Sequence, residues 1–364
     1  MGWSWRIGRV LGIDVYLHFT FLLLLAFFGY SFYERGGLSG ALWGLAFLAA
    51  LFGIIVLHEL GHALAARRYG IPTRDITLLP IGGVARLERM PDDPKQELVV
   101  ALAGPLVNVV IAAGLWLGLV LSQTLTMDYR HLLSTEGFLL NQLLVINIVL
   151  VVFNLIPAFP MDGGRVLRAL LAMRMEYTRA TQIAATIGQA FAVLFGLLGL
   201  FTGHFMLLFI ALFVWLGADA EASMVRIKSA LAGIPIQRAM QTQFQVVDPA
   251  ARLSDVLAAI SAGYQRDFPV LDAAGHLVGV LTRDEIMHAL AEQRFDAPVG
   301  ELMDTEFVTA HPRDMLQSVL ARCEAAQCHV VPVVDRGRLV GLVSADRLGE
   351  FLMLDAALRG HRHA

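Results

Sequence analysis

Between Leu42 and Leu57 the chain carries no charged residue, and this run closes on His58-Glu59-Leu60-Gly61-His62. An apolar run of such length is suited to cross hydrocarbon as a helix, because a helix satisfies every backbone polar group internally. Ionisable side chains at its end cost on the order of a few kcal/mol each and persist when they do something. On a helix His58 and His62 lie one turn apart on one face and can grip one metal ion. Glu59, beside them, is placed to take a proton from a metal-bound water. The five residues alone also occur as a polar patch on ordinary helices. Their place at the end of a membrane-length run makes them read as a zinc site at membrane depth.

The rest of the first 220 residues follows the same pattern. Apolar runs occur at Val15–Tyr33, Leu38–Ala66, Leu98–Leu121, Gly137–Ile156, Ile183–Phe201 and Phe205–Leu216, the last two parted only by Thr202-Gly203-His204. Each is near the ~20 residues a spanning helix needs, so about six transmembrane helices are expected. The first run is longer than a signal-peptide core and no small-x-small site follows it, so it reads as an uncleaved span. His18, alone near its start, reads as structural or interfacial. The chain as a whole is 57% hydrophobic with a mean hydropathy of +0.63, too apolar for a soluble protein of 364 residues. A net charge of −3 gives no reason to expect a nucleic-acid partner. Arg6, Arg9, Arg67, Arg68, Arg74, Arg86, Arg89, Lys95, Arg165, Arg168, Arg174, Arg179, Arg226 and Lys228 fall on one side of a six-span arrangement, and only Arg35 and Arg130 on the other. The positive side is cytoplasmic, which predicts a multi-pass protein of the cell (inner or plasma) membrane with both termini inside.

With that orientation the second and fourth spans both run inward. The fourth ends Asn154-Leu155-Ile156-Pro157-Ala158-Phe159-Pro160-Met161-Asp162-Gly163-Gly164-Arg165. Two prolines break the helix and two glycines let the backbone turn tightly beside Asp162, which reaches the depth of His62. Two histidines and a carboxylate, with a fourth position for water, form a catalytic rather than a structural zinc set. In the loop Ile71–Glu97, Ile76–Leu79 and Val84–Leu87 flank Gly82-Gly83. It reads either as a hairpin dipping toward the metal or as a surface loop over the bundle.

His58–His62 together with Asn154–Arg165 resemble the paired motifs of the site-2 protease family, the intramembrane zinc metalloproteases. The second motif matches the family's N-x-x-P-x-x-P-x-D-G-G-R at every fixed position, with Met161 where leucine is frequent. Ala103-Gly104-Pro105 with Asn108 is similar to a third family element, and Gly82-Gly83-Val84 to a membrane-associated loop that offers an edge strand to substrate. The resemblance covers roughly residues 10–220. It implies hydrolysis of peptide bonds in or near transmembrane segments of membrane-protein substrates, with Zn2+ on His58, His62 and Asp162 and Glu59 as the base. Asn154 and Asn108 would donate to substrate backbone or oxyanion, or else satisfy the broken helix and a neighbouring span.

After Leu216 the composition turns charged and an internal repeat appears at a period of about 62 residues. Phe268–Asp272 with Leu277–Ile286, and Val331–Asp335 with Leu339–Leu348, each read as strand, turn, strand and capped helix. The repeat resembles a tandem cystathionine-β-synthase (CBS) pair, a soluble α/β module that implies homodimerisation and binding of ATP or another adenine nucleotide. In the pattern G-h-h-[ST]-x-x-D, Thr282 matches with Glu285 in place of aspartate, and Ser344 matches with Arg347 in place of the acid; Asp346 could substitute. At most one nucleotide per chain is therefore expected, at Thr282 and Glu285. Cys323 and Cys328 are expected as reduced thiols of a cytoplasmic domain. The expected division is membrane protease 1–222, linker 223–234, CBS repeats 235–294 and 295–356, and tail 357–364. Alternatives are a transporter or channel carrying a CBS pair, and an inactive protease-like scaffold, against which the intact Glu59 argues.

Overall fold

The chain starts in strands, not in a span. β1 (Ser4–Val10) and β2 (Ile13–His18) pair antiparallel, and Val15–His18, expected at the head of the first span, belongs to β2. The alternation of buried Ile13 and Val15 with half-buried Asp14 and Tyr16 is the period-two signal that overall hydropathy hides. The computed structural model describes the chain except residues 1–2, 81, 92, 126–138, 263–264, 327, 345–350 and 352–364, and resolves it into two compact units, Met1–Val225 and Arg226–Ala364.

In the first unit α1 (Phe19–Arg68) is 50 residues long and broken at Gly36 and Gly37, where Gly37 takes φ 59°. Its halves hold the first two expected spans. They pack on each other through Phe21 and Phe52, whose rings meet edge to face at 4.4 Å. His18 caps the helix, its Nδ1 accepting from the Thr20 amide, which makes it structural. β3 (Thr73–Leu79) pairs parallel to β2, and β4 (Gly82–Leu87) pairs antiparallel to β3, giving the order β1-β2-β3-β4. The Ile71–Glu97 loop is thus a hairpin, with β4 at the sheet edge.

α2 (Pro94–Leu121) follows, then α3 (Leu139–Asn154), α4 (Asp162–Ala172), α5 (Tyr177–Thr202) and α6 (Phe205–Leu231). Among the described residues four helices, α1, α2, α5 and α6, are long and apolar enough to cross a membrane, and α3 is a shorter apolar helix. Their packing suits helices in lipid. On α5 the buried residues are Ala180, Thr181, Ala184, Ala185, Gly188, Ala192 and Gly199, whereas Leu200 and Phe201 are 66% and 83% exposed. Small residues bring the helices together and the large apolar ones face outward. Residues 223–231, expected in the linker, continue α6.

The second unit carries the repeat. α7 (Leu253–Ala262), β5 (Phe268–Leu271), β6 (Leu277–Leu281) and α8 (Arg283–Ala291) form one copy; α9 (Leu316–Ala325), β7 (Val330–Asp335) and β8 (Arg338–Ser344) form the described part of the other. The correspondence extends to isolated pairings, Val247 with Val270 in the first copy and Ala310 with Val333 in the second. Each copy has its own core, around Leu253, Phe268 and Leu281, and around Leu316, Val331 and Val333. Arg347, Asp346 and the tail lie outside the described residues. The cysteines are not free thiols: Cys323 and Cys328 are joined as a disulfide with Cα atoms 5.0 Å apart. The Cys328 amide donates to the Cys323 carbonyl at 2.9 Å, a helix-closing turn that brings the two residues together.

Candidate metal centre

His58 and His62 sit on the second half of α1, both buried, with ring centres 4.8 Å apart. α2 crosses α1 closely because both helices offer glycine at the crossing. A Cβ on Gly61 would lie 2.7 Å from the Ala103 carbonyl oxygen, and one on Gly104 would lie 2.6 Å from His62 Cε1 and 2.7 Å from His58 Nε2. The crossing presses α2 against the imidazoles and lets His62 Nδ1 donate to the Val100 carbonyl at 2.7 Å. That bond fixes the tautomer and leaves His62 Nε2 with its lone pair turned toward His58.

The third member comes from the break after α3. Asn154 ends that helix, Pro157 and Pro160 keep the chain from continuing it, and Asp162 opens α4. The return is tight enough to require small residues, since a Cβ on Gly164 would lie 2.6 Å from the Phe159 amide nitrogen. It sets Asp162 Oδ2 at 3.1 Å from His58 Nε2 and 3.2 Å from His62 Nε2. As a metal ligand the Asp162 carboxyl acts in its ionised form.

Among the described residues His58, His62 and Asp162 offer one ligand atom each, all within 4.8 Å of one another and all buried. Two imidazole nitrogens and one carboxylate oxygen converging on a point suit zinc and leave a coordination position open. Glu59 is half-buried beside them, its Oε2 accepting from the Ala85 amide of β4 at 3.1 Å. The approach of β4 depends on Gly83, where a Cβ would lie 2.9 Å from Glu59 Cγ.

These groups open on a cavity of about 420 Å³, whose wall includes residues 82–85 of β4, Asn108, Asn154, Arg165 and Phe213. His58, Glu59, His62, Asn108, Asn154 and Asp162 therefore line one cavity. Asn108 is 1% exposed, and its Oδ1 has no hydrogen-bond partner among the described residues. The Val100 carbonyl, the Ala85 amide and the bare Cα of Gly104 were not foreseen. Backbone groups carry no residue-type signal, although Ala103-Gly104-Pro105 marked the right turn of α2.

In the second unit Thr282 and Ser344, the two signature hydroxyls, line one cavity of about 180 Å³ with Arg266, Asp267, Arg283, Asp284 and His329. Glu285 does not line it. Its carboxylate accepts from the Thr282 amide at 2.8 Å and from the Thr282 hydroxyl, closing a capping box on α8. The acid expected to meet a ribose is engaged in holding the helix start; Asp267 and Asp284 are the acids at the cavity, and Asp267 accepts from the Arg283 amide at 3.1 Å.

Peptidase family M50 matches residues 46–135 and 135–195, and the CBS domain matches residues 236–292 and 299–353. "Zinc metalloprotease MJ0392" of Methanocaldococcus jannaschii is 34% identical, over 94% of this chain and 94% of that one. "Putative zinc metalloprotease sll0528" of Synechocystis is 30% identical, over 97% and 96%. The solved "Site-2 Protease from Methanocaldococcus jannaschii" is 38% identical with a TM-score of 0.45, covering 60% of this chain and 95% of that one. The two full-length metalloprotease relatives support the metalloprotease reading, and the transporter or channel alternative is set aside. With full-length identity at this level and both ligand motifs intact, the chain belongs to peptidase family M50, the site-2 protease family of membrane metalloproteases, and carries a CBS pair.

Proposed function

We propose that the chain is a zinc-dependent endopeptidase that cuts membrane proteins in or near their transmembrane segments. The observation that carries this reading is the convergence of His58, His62 and Asp162 in a buried cavity that also holds Glu59 and one edge of a sheet. A zinc ion held by these three residues would polarise the scissile carbonyl and lower the pKa of its water to about 7. Glu59 then accepts the proton of the attacking water on its carboxylate and hands it to the leaving amine nitrogen. Asn154 and Asn108 donate to substrate backbone or to the developing oxyanion. A helical substrate hides its carbonyls in its own hydrogen bonds, so it must unwind first. Among the described residues β4 pairs on one side only, and its other edge would hold the unwound segment extended.

Removing the metal is the direct test. A chelator should abolish cleavage of a single-span substrate in detergent and added zinc should restore it; His58→Ala, His62→Ala or Asp162→Ala should each lower zinc content below one per site. Cleavage that survives full metal removal would refute the reading. The arginine distribution supports cytoplasmic termini, so a reporter fused after Ala364 is expected inside and one inserted near Gly36 outside. An external C-terminal reporter overturns that orientation.

The cavity at Thr282 and Ser344 supports one adenine nucleotide per chain, acting as a regulator. Asp284 is the acceptor there for ribose hydroxyls. Losing a hydrogen bond to a charged group costs about 1.5–3 kcal/mol, so Asp284→Ala should weaken AMP or ATP binding roughly tenfold or more in titration calorimetry. Two equivalent sites per chain, or none, would contradict the assignment.

A further inference from the structure

Arg168 is a fully buried charge that peptide hydrolysis does not call for. It lies on α4 and is 1% exposed. Its Nε and Nη2 reach Glu97 Oε1 of α2 at 2.7 and 2.5 Å, and its Nη1 reaches Glu221 Oε1 of α6 at 2.5 Å. The guanidinium carbon stands 5.0 Å from the ring centre of Phe159 and 5.1 Å from that of Tyr177. A charge taken out of water is tolerated when paired and hydrogen-bonded on several sides, and a planar guanidinium can be stacked as well as paired.

The location of these contacts gives the cluster a purpose. Phe159 precedes Asp162 and Arg168 follows it, so their stacking closes the tight return from both sides of the metal-facing carboxylate. Glu97 belongs to the first turn of α2, and three residues later Val100 holds His62 by its Nδ1. One rigid turn of α2 thus references both the helix that carries Asp162 and the ring of His62.

We propose that Arg168 is a positioning residue for metal binding: its pairing with Glu97 and Glu221 sets the rotation of α4, and with it the place of Asp162 against His58 and His62. The role rests on the reading of those three residues as ligands. Two variants of the full-length protein in detergent separate positioning from folding. Arg168→Lys keeps the charge but not the fork. Arg168→Met with Glu97→Met removes the pair together, a replacement that buried ion pairs often tolerate without loss of stability. Co2+ is the probe, read by its affinity and its visible ligand-field spectrum, alongside thermal unfolding of the metal-free protein.

Both variants are expected to unfold cooperatively in the metal-free form and to bind Co2+ roughly 10- to 100-fold more weakly, with an altered spectrum, as when groups that orient a ligand are lost. Folded variants with wild-type affinity and spectrum overturn the proposal. So does failure of both to fold, because the cluster then serves the fold and not the site. His58→Ala is the control: if it binds Co2+ like wild type, the ligand reading itself is wrong. If it loses the ion while the Arg168 variants keep it, only the positioning role falls.

Discussion

Glu59→Gln is expected to lower cleavage by about 10²–10⁴-fold, the usual contribution of a positioned general base, and to leave the zinc in place. Glutamine has the same length and can still accept from the Ala85 amide, now at 3.1 Å from the carboxylate, so the approach of β4 survives. What disappears is the ability to take a proton. The three groups grouped as metal ligands do not include Glu59, so metal content should not change. The check pairs zinc analysis of the purified variant with a comparison of membrane proteomes, in which uncut substrates accumulate. A Glu59→Gln protein that cuts at the wild-type rate would sink the mechanism.

The second large effect is expected from adding a single methyl group. At Gly104 a Cβ would sit 2.6 Å from His62 Cε1 and 2.7 Å from His58 Nε2, where carbon normally needs about 3.5–4.0 Å. Either the imidazoles swing away or α2 moves off α1, and metal ligands tolerate only about 0.2 Å of displacement. Gly104→Ala should therefore cost zinc affinity roughly 100-fold or more, above the usual range for indirect perturbations. The helix itself gains from alanine by about 1 kcal/mol, so loss of folding is not the expected route. Gly114→Ala on the same helix, where nothing lies within 4 Å, is the control and should retain full zinc. Dialysed protein and metal analysis decide it; a Gly104→Ala variant with wild-type zinc would mean that the crossing is looser than drawn.

The cluster of His58, His62 and Asp162 was legible because a helix turns the spacing of the two histidines into one face, and because prolines and glycines announce the return that carries Asp162. The hairpin was legible only as one of two readings: glycines at the turn and apolar runs on either side allowed it without excluding a surface loop. The strands of the N-terminal segment were not, since hydropathy sums over residues and cannot see that Ile13 and Val15 alternate with Asp14 and Tyr16. Long-range partners were also hidden. Arg168 read as one more cytoplasmic arginine, and only the fold brings Glu97 and Glu221 to it from 71 and 53 residues away. Glu285 was misread because a capping acid and a ribose-binding acid are the same residue type at nearly the same offset. Cys323 and Cys328 were misread because two cysteines so close in sequence form no framework, while a helix-closing turn still brings them together.

The parallel pairing of β2 with β3 has a consequence for membrane parity. These strands flank α1, and Asp14 to Leu17 lie in register with Asp75 to Leu78. Hydrogen-bonded strands are about 4.8 Å apart, whereas 50 helical residues laid straight would reach about 75 Å. The chain that leaves β2 must therefore come back to β3, and the only interruption in α1 that allows it is at Gly36 and Gly37. The start of the first half of α1 and the end of its second half therefore lie at the same end of the helix pair. Any membrane crossings that α1 makes therefore come as a pair, whichever way the arginines point, and the His58–His62 turn lies toward the same end as the N-terminal strands.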